Sequence, residues 1–339
     1  MSLSEAEVEA IRQISNEEIL NVHEVFQGAN NRSKWLQTES NRFFIKHYFQ
    51  HASDPRDRLS VEYNFLEFLN KHHVDNVPQA LLLNKDQGFA VYSFIEGTHI
   101  EEVSDRFVDE AMCFLKQFNK YRKAPLAQTL PKASEACFSS NEYLKNLQDR
   151  LERLKKIEIK DDVDELAVNF VSNTLLPEAN RIQEKQGVDF CVDESEHILS
   201  PSDFGFHNAL LNEQGLSFFD FEYAGWDDPA KLISDFFCQP KVPVAFEHWQ
   251  KVVSAVLDIL PENNRLLERL DSVFEIIRLK WCCIVLNEFL KLGASRRSYA
   301  QIDIDLGKKT KQLELSEKMF TRTAPSVVLD RVSLDKVVL

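Results

Sequence analysis

Two short stretches of the chain carry residue types that could do chemistry together. SDFGFHNALL, at 202–211, places Asp203 and Asn208 five residues apart, and LSFFDFEYAGWDDP brings Asp220 inside an apolar, strand-like run twelve residues after Asn208. A carboxylate, an amide oxygen and a second carboxylate are hard oxygen donors of the kind that suits magnesium. They are also what phosphoryl transfer asks of a protein, since that reaction needs positioning and charge neutralisation rather than covalent work. On this reading Asp203 faces an acceptor hydroxyl as the base. Asn208 and Asp220 hold Mg2+ against the phosphates of ATP. A short hairpin between the two stretches would fold Asp220 back beside Asn208.

The segments that must position these residues change period along the chain. ILNVHEVF, KWLQTES and NRFFIKHYF read as strands of an antiparallel meander, separated by turn-rich segments such as QGANNRS. In DPRDRLSVEYNFLEFLNKHH, residues Leu59, Tyr63, Leu66 and Leu69 share one helical face, with Asp54 and Pro55 as the start signal. Two further strands follow, QALLLNKD and GFAVYSFI. From about residue 102 the helical period dominates, over 105–122, 140–156, 161–186, 229–237, 243–259, 271–292 and 299–318. The expected fold class is α+β with two lobes: residues 1–96 as an N-terminal nucleotide-binding lobe, and 97–321 as a larger, mostly helical C-terminal lobe. Residues 322–339 lack helical period and read as a C-terminal arm.

Composition narrows the partners. The 339 residues carry a formal net charge of −14, which disfavours nucleic acid and anionic membranes, both of which reward clustered Lys and Arg. No apolar run approaches the ~18 residues of a membrane span, and the N-terminal MSLSEAEVEAIRQI is acidic and helix-patterned, unlike a secretory leader. A cytoplasmic location is expected. The six cysteines are scattered without paired spacing, so neither a zinc site nor a disulfide framework is indicated.

The D-x-x-x-x-N, strand, D-F arrangement resembles the protein-kinase-like superfamily, and FFDFEYAGWDDPA is similar to the form found in the aminoglycoside phosphotransferase and choline/ethanolamine kinase family. The likeness runs over nearly the whole chain and implies a bilobal, protein-kinase-like fold that uses ATP and Mg2+. Where that family usually has His two residues before the catalytic Asp, this chain reads Pro201–Ser202–Asp203. The resemblance implies an ATP lysine at Lys46, which interrupts the apolar run RFFIKHYF, with a helix carboxylate as its partner. Glu62 fits that place, and Glu67 is the competing choice. FQGANNRS resembles the family's phosphate-covering loop, with Gly28 letting backbone approach the phosphates and Asn30 and Asn31 as donors. YSFIEGTHI resembles the hinge that binds the adenine edge, with Ser93, Phe94 and Ile95 as the contact residues.

The remaining candidates lie on the acceptor side. In WDDPAKLISDFF, Asp228 before Pro229 marks a helix start and Asp235 could tie down the catalytic loop, while Asp227 could face the cleft. Glu222 directly follows the D-F pair and is a candidate for contact with substrate or with the metal ligands. In RLKWCCIVLNEFL, Trp281 with Glu288 has the chemistry of an ammonium subsite. The expected substrate is a small-molecule alcohol, drawn from amino alcohols, aminoglycosides or sugars. No long activation segment separates Asp220 from Pro229, which disfavours a protein substrate. The alternative is a nucleotide-binding scaffold of the same fold without turnover, motivated by the absent His and the single glycine of the loop.

Overall fold

The computed structural model describes residues 3–25, 31–49, 56–185, 189–290 and 306–325. Helix α1, Glu5–Ser15, begins with a capping box in which Ser4 and Glu7 satisfy each other's backbone amides. Five antiparallel strands follow: β1 (Asn21–Val25), β2 (Arg32–Gln37), β3 (Arg42–His47), β4 (Ala80–Asn84) and β5 (Phe89–Ser93), in spatial order β1-β2-β3-β5-β4. Helix α2, Arg58–Lys71, crosses between β3 and β4. Its N-cap is Asp57, which accepts the Ser60 amide at 3.0 Å, rather than the Asp54–Pro55 pair, which lies outside the described residues.

Both faces of this sheet are covered. Ala10 and Ile11 of α1 pack on Leu36, Phe43, Ile45, Phe89 and Val91. Strand alternation sends Tyr92 and Ala90 to the other face, into a core continuous with Leu59, Leu66 and Leu69 of α2 and with the helices beyond.

Glu7 also ties α1 to the sheet. Its buried carboxylate takes the Lys34 ammonium at 2.9 Å and lies 3.0 Å from His47 Nε2. Burial pushes this carboxyl up, but His47, the Ser4 amide and Lys34 together outweigh it and hold the value down at about 2. A carboxyl depressed in the folded state stabilises it above the ordinary value of 4.5, and that contribution is lost as pH falls towards 2. Glu7→Gln is therefore expected to cost about 2–3 kcal/mol at neutral pH. In urea titrations the gap to the parent should close below pH 4.5.

Beyond Ser93 the chain is mostly helical: α3 (Asp105–Asn119), α4 (Ser140–Leu154), α5 (Asp162–Phe170), α6 (Leu176–Glu184), α7 (Pro229–Cys238), α8 (Trp249–Leu257), α9 (Leu266–Val285) and a C-terminal helix, Leu306–Phe320. The single helix expected over 161–186 is broken by a π-helical turn at Val171–Leu175. Pro177 near the start of α6 lacks the amide that would continue the ladder, and the wider turn absorbs the loss. The helix expected from 243 starts only at Trp249, after a 3-10 turn at Phe246–His248.

The β interruption of this helical part is a hairpin of β8 (Ala209–Asn212) and β9 (Gly215–Phe218), extended by the two-residue β6 (Thr98–His99). Close packing of β6 on β8 requires Gly97, where φ is +153° and a Cβ would come within 2.8 Å of Leu210 and of the Leu211 carbonyl. Strand β7 (Ile198–Ser200) pairs with β10 (Gly225–Asp227), so the residues on either side of the hairpin are also held together.

Candidate active site

Lys46 leaves the central strand of the five, opposite Ser33 on β2 and Ala90 on β5. Its ammonium lies 2.7 Å from Glu62 Oε2, 2.5 Å from Asp220 Oδ1 and 3.5 Å from Glu222 Oε2. Between the two helix carboxylates the structure selects Glu62, since Glu67 is half-buried and pairs with Lys71. Burial alone would lower the lysine's value, yet Asp220, Glu62 and Glu222 raise it well above the ordinary range. Burial pushes Glu62 up to about 7, with Asp220 and Glu222 adding to the rise and Lys46 opposing it. Tyr48 and the Phe221 amide donate to Glu62 at 2.7 and 3.2 Å, and the Tyr48 and Tyr92 hydroxyls meet at 2.6 Å.

Asp203 and Asn208 lie on the loop between β7 and β8. The Asn208 side-chain amide donates to the Asp203 carbonyl at 3.0 Å, closing that loop on itself. The Phe219 amide donates to the Asn208 carbonyl at 3.0 Å, which sets Asp220 one residue beyond Asn208's partner. The hairpin thus brings the three polar residues to one end. Phe221 anchors the return, packing against Phe65 at 5.4 Å and fully buried. Two residues here adopt left-handed backbone, Ser202 at φ +66° and Asp220 at φ +67°, a conformation costly for non-glycine residues and concentrated at functional sites.

Asp203 keeps a third of its side chain exposed and lies 3.3 Å from His207 Nε2. Burial would raise its value, but His207 and then Lys241 hold it below the ordinary range. A carboxylate kept ionised beside the cleft can accept a proton.

Between the sheet and the helical part lies a cavity of about 480 Å³, lined by Trp35, Phe44, Lys46, Phe94, Ile95 and Asp220 among others. That volume suits a nucleotide-sized ligand. On its rim the Phe94 amide is spent on the Arg42 carbonyl and the Ser93 amide on Gln79, whereas the Ile95 amide has no partner among the described residues. Of the three expected hinge residues, Ile95 is the one with a backbone donor to offer.

The donors also fit a divalent cation. Ligand atoms of Glu62, Asp220 and Glu222 all lie within 4.8 Å of one another. The Asn208 side-chain oxygen and the second Asp220 oxygen make no hydrogen bond to described residues. Such an all-oxygen set suits Mg2+.

Other expected residues are placed differently. Gly28 and Asn30 lie outside the described residues. Asn31 is engaged at both ends, donating to Glu222 and accepting the Phe49 amide at 3.2 Å, so it links the sheet to the segment after Asp220. Glu222 itself is buried, 3.8 Å from Arg58 as well as close to Lys46. Asp227 does not face the cleft: it is fully buried and paired with Lys231 at 2.7 Å, because the turn into α7 points it inward. Asp228 caps α7, as its place before Pro229 predicts. The expected ammonium subsite is not assembled, since Trp281 donates to Asp235 at 2.7 Å and Glu288 pairs with Lys308 at 3.3 Å.

Sequence reasoning passed over Lys231 and His207. Lys231 bridges Asp227 and Asp235 at 2.7 and 3.2 Å and reaches Ser202 Oγ at 3.5 Å, so it ties the loop that carries Asp203 to α7. The spacing 227, 231, 235 was legible as an i, i+4 ladder of alternating charge. Nothing in the sequence marks His207.

The model of the phosphotransferase enzyme family matches residues 22–231. No curated protein sequence matches the chain. Among solved structures, a spectinomycin phosphotransferase in complex with ADP and spectinomycin is similar with a TM-score of 0.62 at 14% identity, over 94% of this chain and 98% of its own. A choline kinase from Streptococcus pneumoniae gives 0.53 at 17%, over 94% and 99%. An amicoumacin kinase in complex with AMP-PNP and Ca2+ gives 0.54 at 14%, over 98% and 100%. At such identities these likenesses establish the fold, which is α+β and kinase-like. With the family model covering well over half of its length, the chain belongs to the phosphotransferase enzyme family.

Proposed function

We propose that this protein is an ATP- and Mg2+-dependent kinase that phosphorylates a hydroxyl group of a small molecule. The observation that carries the reading is the ion cluster of Lys46, Glu62 and Asp220 at the wall of the 480 Å³ cavity, with Asn208 bonded to the residue before Asp220 and to Asp203 on the adjoining loop. Lys46, held by Glu62, would pair with phosphate oxygens. Asn208 and Asp220, with Glu222 behind them, would hold Mg2+, which when bound supplies charge neutralisation at the phosphates. Asp203 would orient the acceptor hydroxyl and take up its proton. Ile95 would hold the edge of the base.

The short span between Asp220 and α7 leaves no room for a long activation segment, which favours a small acceptor over a protein. The relatives of known structure include a spectinomycin phosphotransferase and choline and ethanolamine kinases. In this chain the residues expected on the acceptor side are already engaged: Glu288 with Lys308, Trp281 with Asp235, and Asp227 with Lys231. That pairing favours a neutral polyol or sugar over an amino alcohol or an aminoglycoside.

The test is ADP release from Mg·ATP across a panel of sugars, amino alcohols and aminoglycosides, with Asp203→Asn as control. Acceptor-dependent ADP that vanishes in the control is expected, with a neutral acceptor fastest. Mg·ATP binding without acceptor-dependent turnover across the panel would favour the inactive scaffold instead. The proposed division of the chain follows the site, with residues 1–96 carrying the nucleotide contacts and 97–321 the catalytic and acceptor residues.

A further inference from the structure

We propose that His207 is a positioning residue that aims the Asp203 carboxylate at the acceptor, and that Gly205 is glycine to make room for the His207 ring. The inference rests on Asp203 acting as proposed above, but it draws on separate observations.

His207 Nε2 lies 3.3 Å from Asp203 Oδ1, and among the described residues no other side chain reaches that carboxylate so closely. The distance is loose for a hydrogen bond, as catalytic contacts often are before substrate is bound. The ring is only 7% exposed, and its Nδ1 is buried without a partner. A buried ring nitrogen left without a partner is costly, so packing at Nδ1 does not explain the presence of a histidine here. The contact that uses its chemistry is the one Nε2 makes to Asp203.

The second observation is Gly205. Its backbone is extended, at φ −173° and ψ 167°, a conformation open to any residue. A Cβ there would, however, fall 2.9 Å from His207 Nδ1, 3.0 Å from Cε1 and 3.2 Å from Gln239 Cγ. The glycine is thus required by the ring and not by the main chain. The ring therefore sits close against residue 205, and a side chain there would shift the position from which Nε2 meets Asp203. The 3-10 turn Phe206–Asn208 supplies the geometry, with Phe206 buried beneath it. Asn208, the next residue, closes the loop back onto the Asp203 carbonyl. Asp203 is therefore held at its backbone by Asn208 and at one carboxylate oxygen by His207, which leaves the other oxygen for the acceptor hydroxyl. In the family it resembles, a histidine usually precedes the catalytic Asp by two residues, where this chain has Pro201. Here an imidazole four residues after the Asp lies 3.3 Å from its carboxylate.

Three variants test this: His207→Leu, which fills the space without a donor; His207→Gln, whose amide reaches about as far as Nε2; and Gly205→Ala, which displaces the ring. A small misplacement of a reacting group costs up to about 10²-fold in rate. His207→Leu and Gly205→Ala should therefore each lower kcat by roughly 10- to 100-fold, with His207→Gln recovering most of the loss. Affinity for Mg·AMP-PNP should be unchanged in all three, and thermal melts should confirm that each is folded. The rate is read with the best acceptor of the panel, or as ADP release to water if no acceptor is found. A second readout needs no turnover. In protein labelled with 15N-histidine, His207 should carry a proton on Nε2 at neutral pH, and that resonance should move in Asp203→Ala and in Gly205→Ala. A bare Nε2, or full turnover in His207→Leu while Asp203→Ala is inactive, overturns the positioning role and leaves the kinase reading standing. Full turnover in Asp203→Ala would instead remove the reading on which it rests.

Discussion

Asp203→Ala is expected to lower turnover by about 10²–10⁴-fold, the usual contribution of a positioned acid–base group. Its nucleotide affinity should stay within a few-fold of the parent. The separation follows from the architecture. Asp203 lies on the loop after β7, held by Asn208 and His207, and does not line the cavity that Lys46, Ile95 and Asp220 share. Removing its carboxylate should also leave the loop in place, because Asn208 bonds the main-chain carbonyl of residue 203 and Lys231 reaches Ser202. Steady-state kinetics with the best acceptor, beside a direct titration of Mg·AMP-PNP, measures both quantities. Turnover within a few-fold of the parent would take Asp203 out of the mechanism.

Asp220→Asn should abolish the strengthening of nucleotide binding by Mg2+ and reduce turnover with it. Asn is the informative substitution because it tolerates the left-handed backbone that residue 220 adopts, so the change removes charge without refolding the turn. Loss of a group that only supports a metal ligand typically costs about 10–100-fold in metal affinity, and loss of a charged ligand should cost more. The variant should remain folded, since Lys46 keeps its contact with Glu62 at 2.7 Å and Phe221 stays in the core. Calorimetric titration of AMP-PNP with and without Mg2+ gives the result directly. An undiminished Mg2+ effect would assign the metal to other residues, with Glu62 and Glu222 the next donors in reach.

Much of this site was legible before any fold was known, and the reason is chemical. Asp203, Asn208 and Asp220 are hydrophilic residues at fixed spacing around an apolar run, and such a run with turn residues between its halves can only return on itself as a hairpin. Lys46 stood out because an ammonium inside RFFIKHYF is too costly to bury unpaired. The period change near residue 97 likewise separated strands from helices, because alternation and helical spacing are local properties of sequence.

What the sequence could not decide was which partner each charge would take. Glu62 and Glu67 are equivalent on paper, and only the packing of α2 against the sheet turns one of them towards Lys46. Asp227 and Glu288 looked available for substrate, yet Lys231 and Lys308 claim them, the second from a helix that arrives after residue 305. His207 carried no mark at all, since its meaning depends on the folded loop that sets its ring beside Gly205 and 3.3 Å from Asp203. Sequence spacing therefore determined the candidate reactive groups and the hairpin that gathers them, because both follow from local patterns. Charge pairing and the contact of His207 with Asp203 were set by tertiary structure alone, because an ion pair depends on distances of a few ångströms that sequence separation does not constrain.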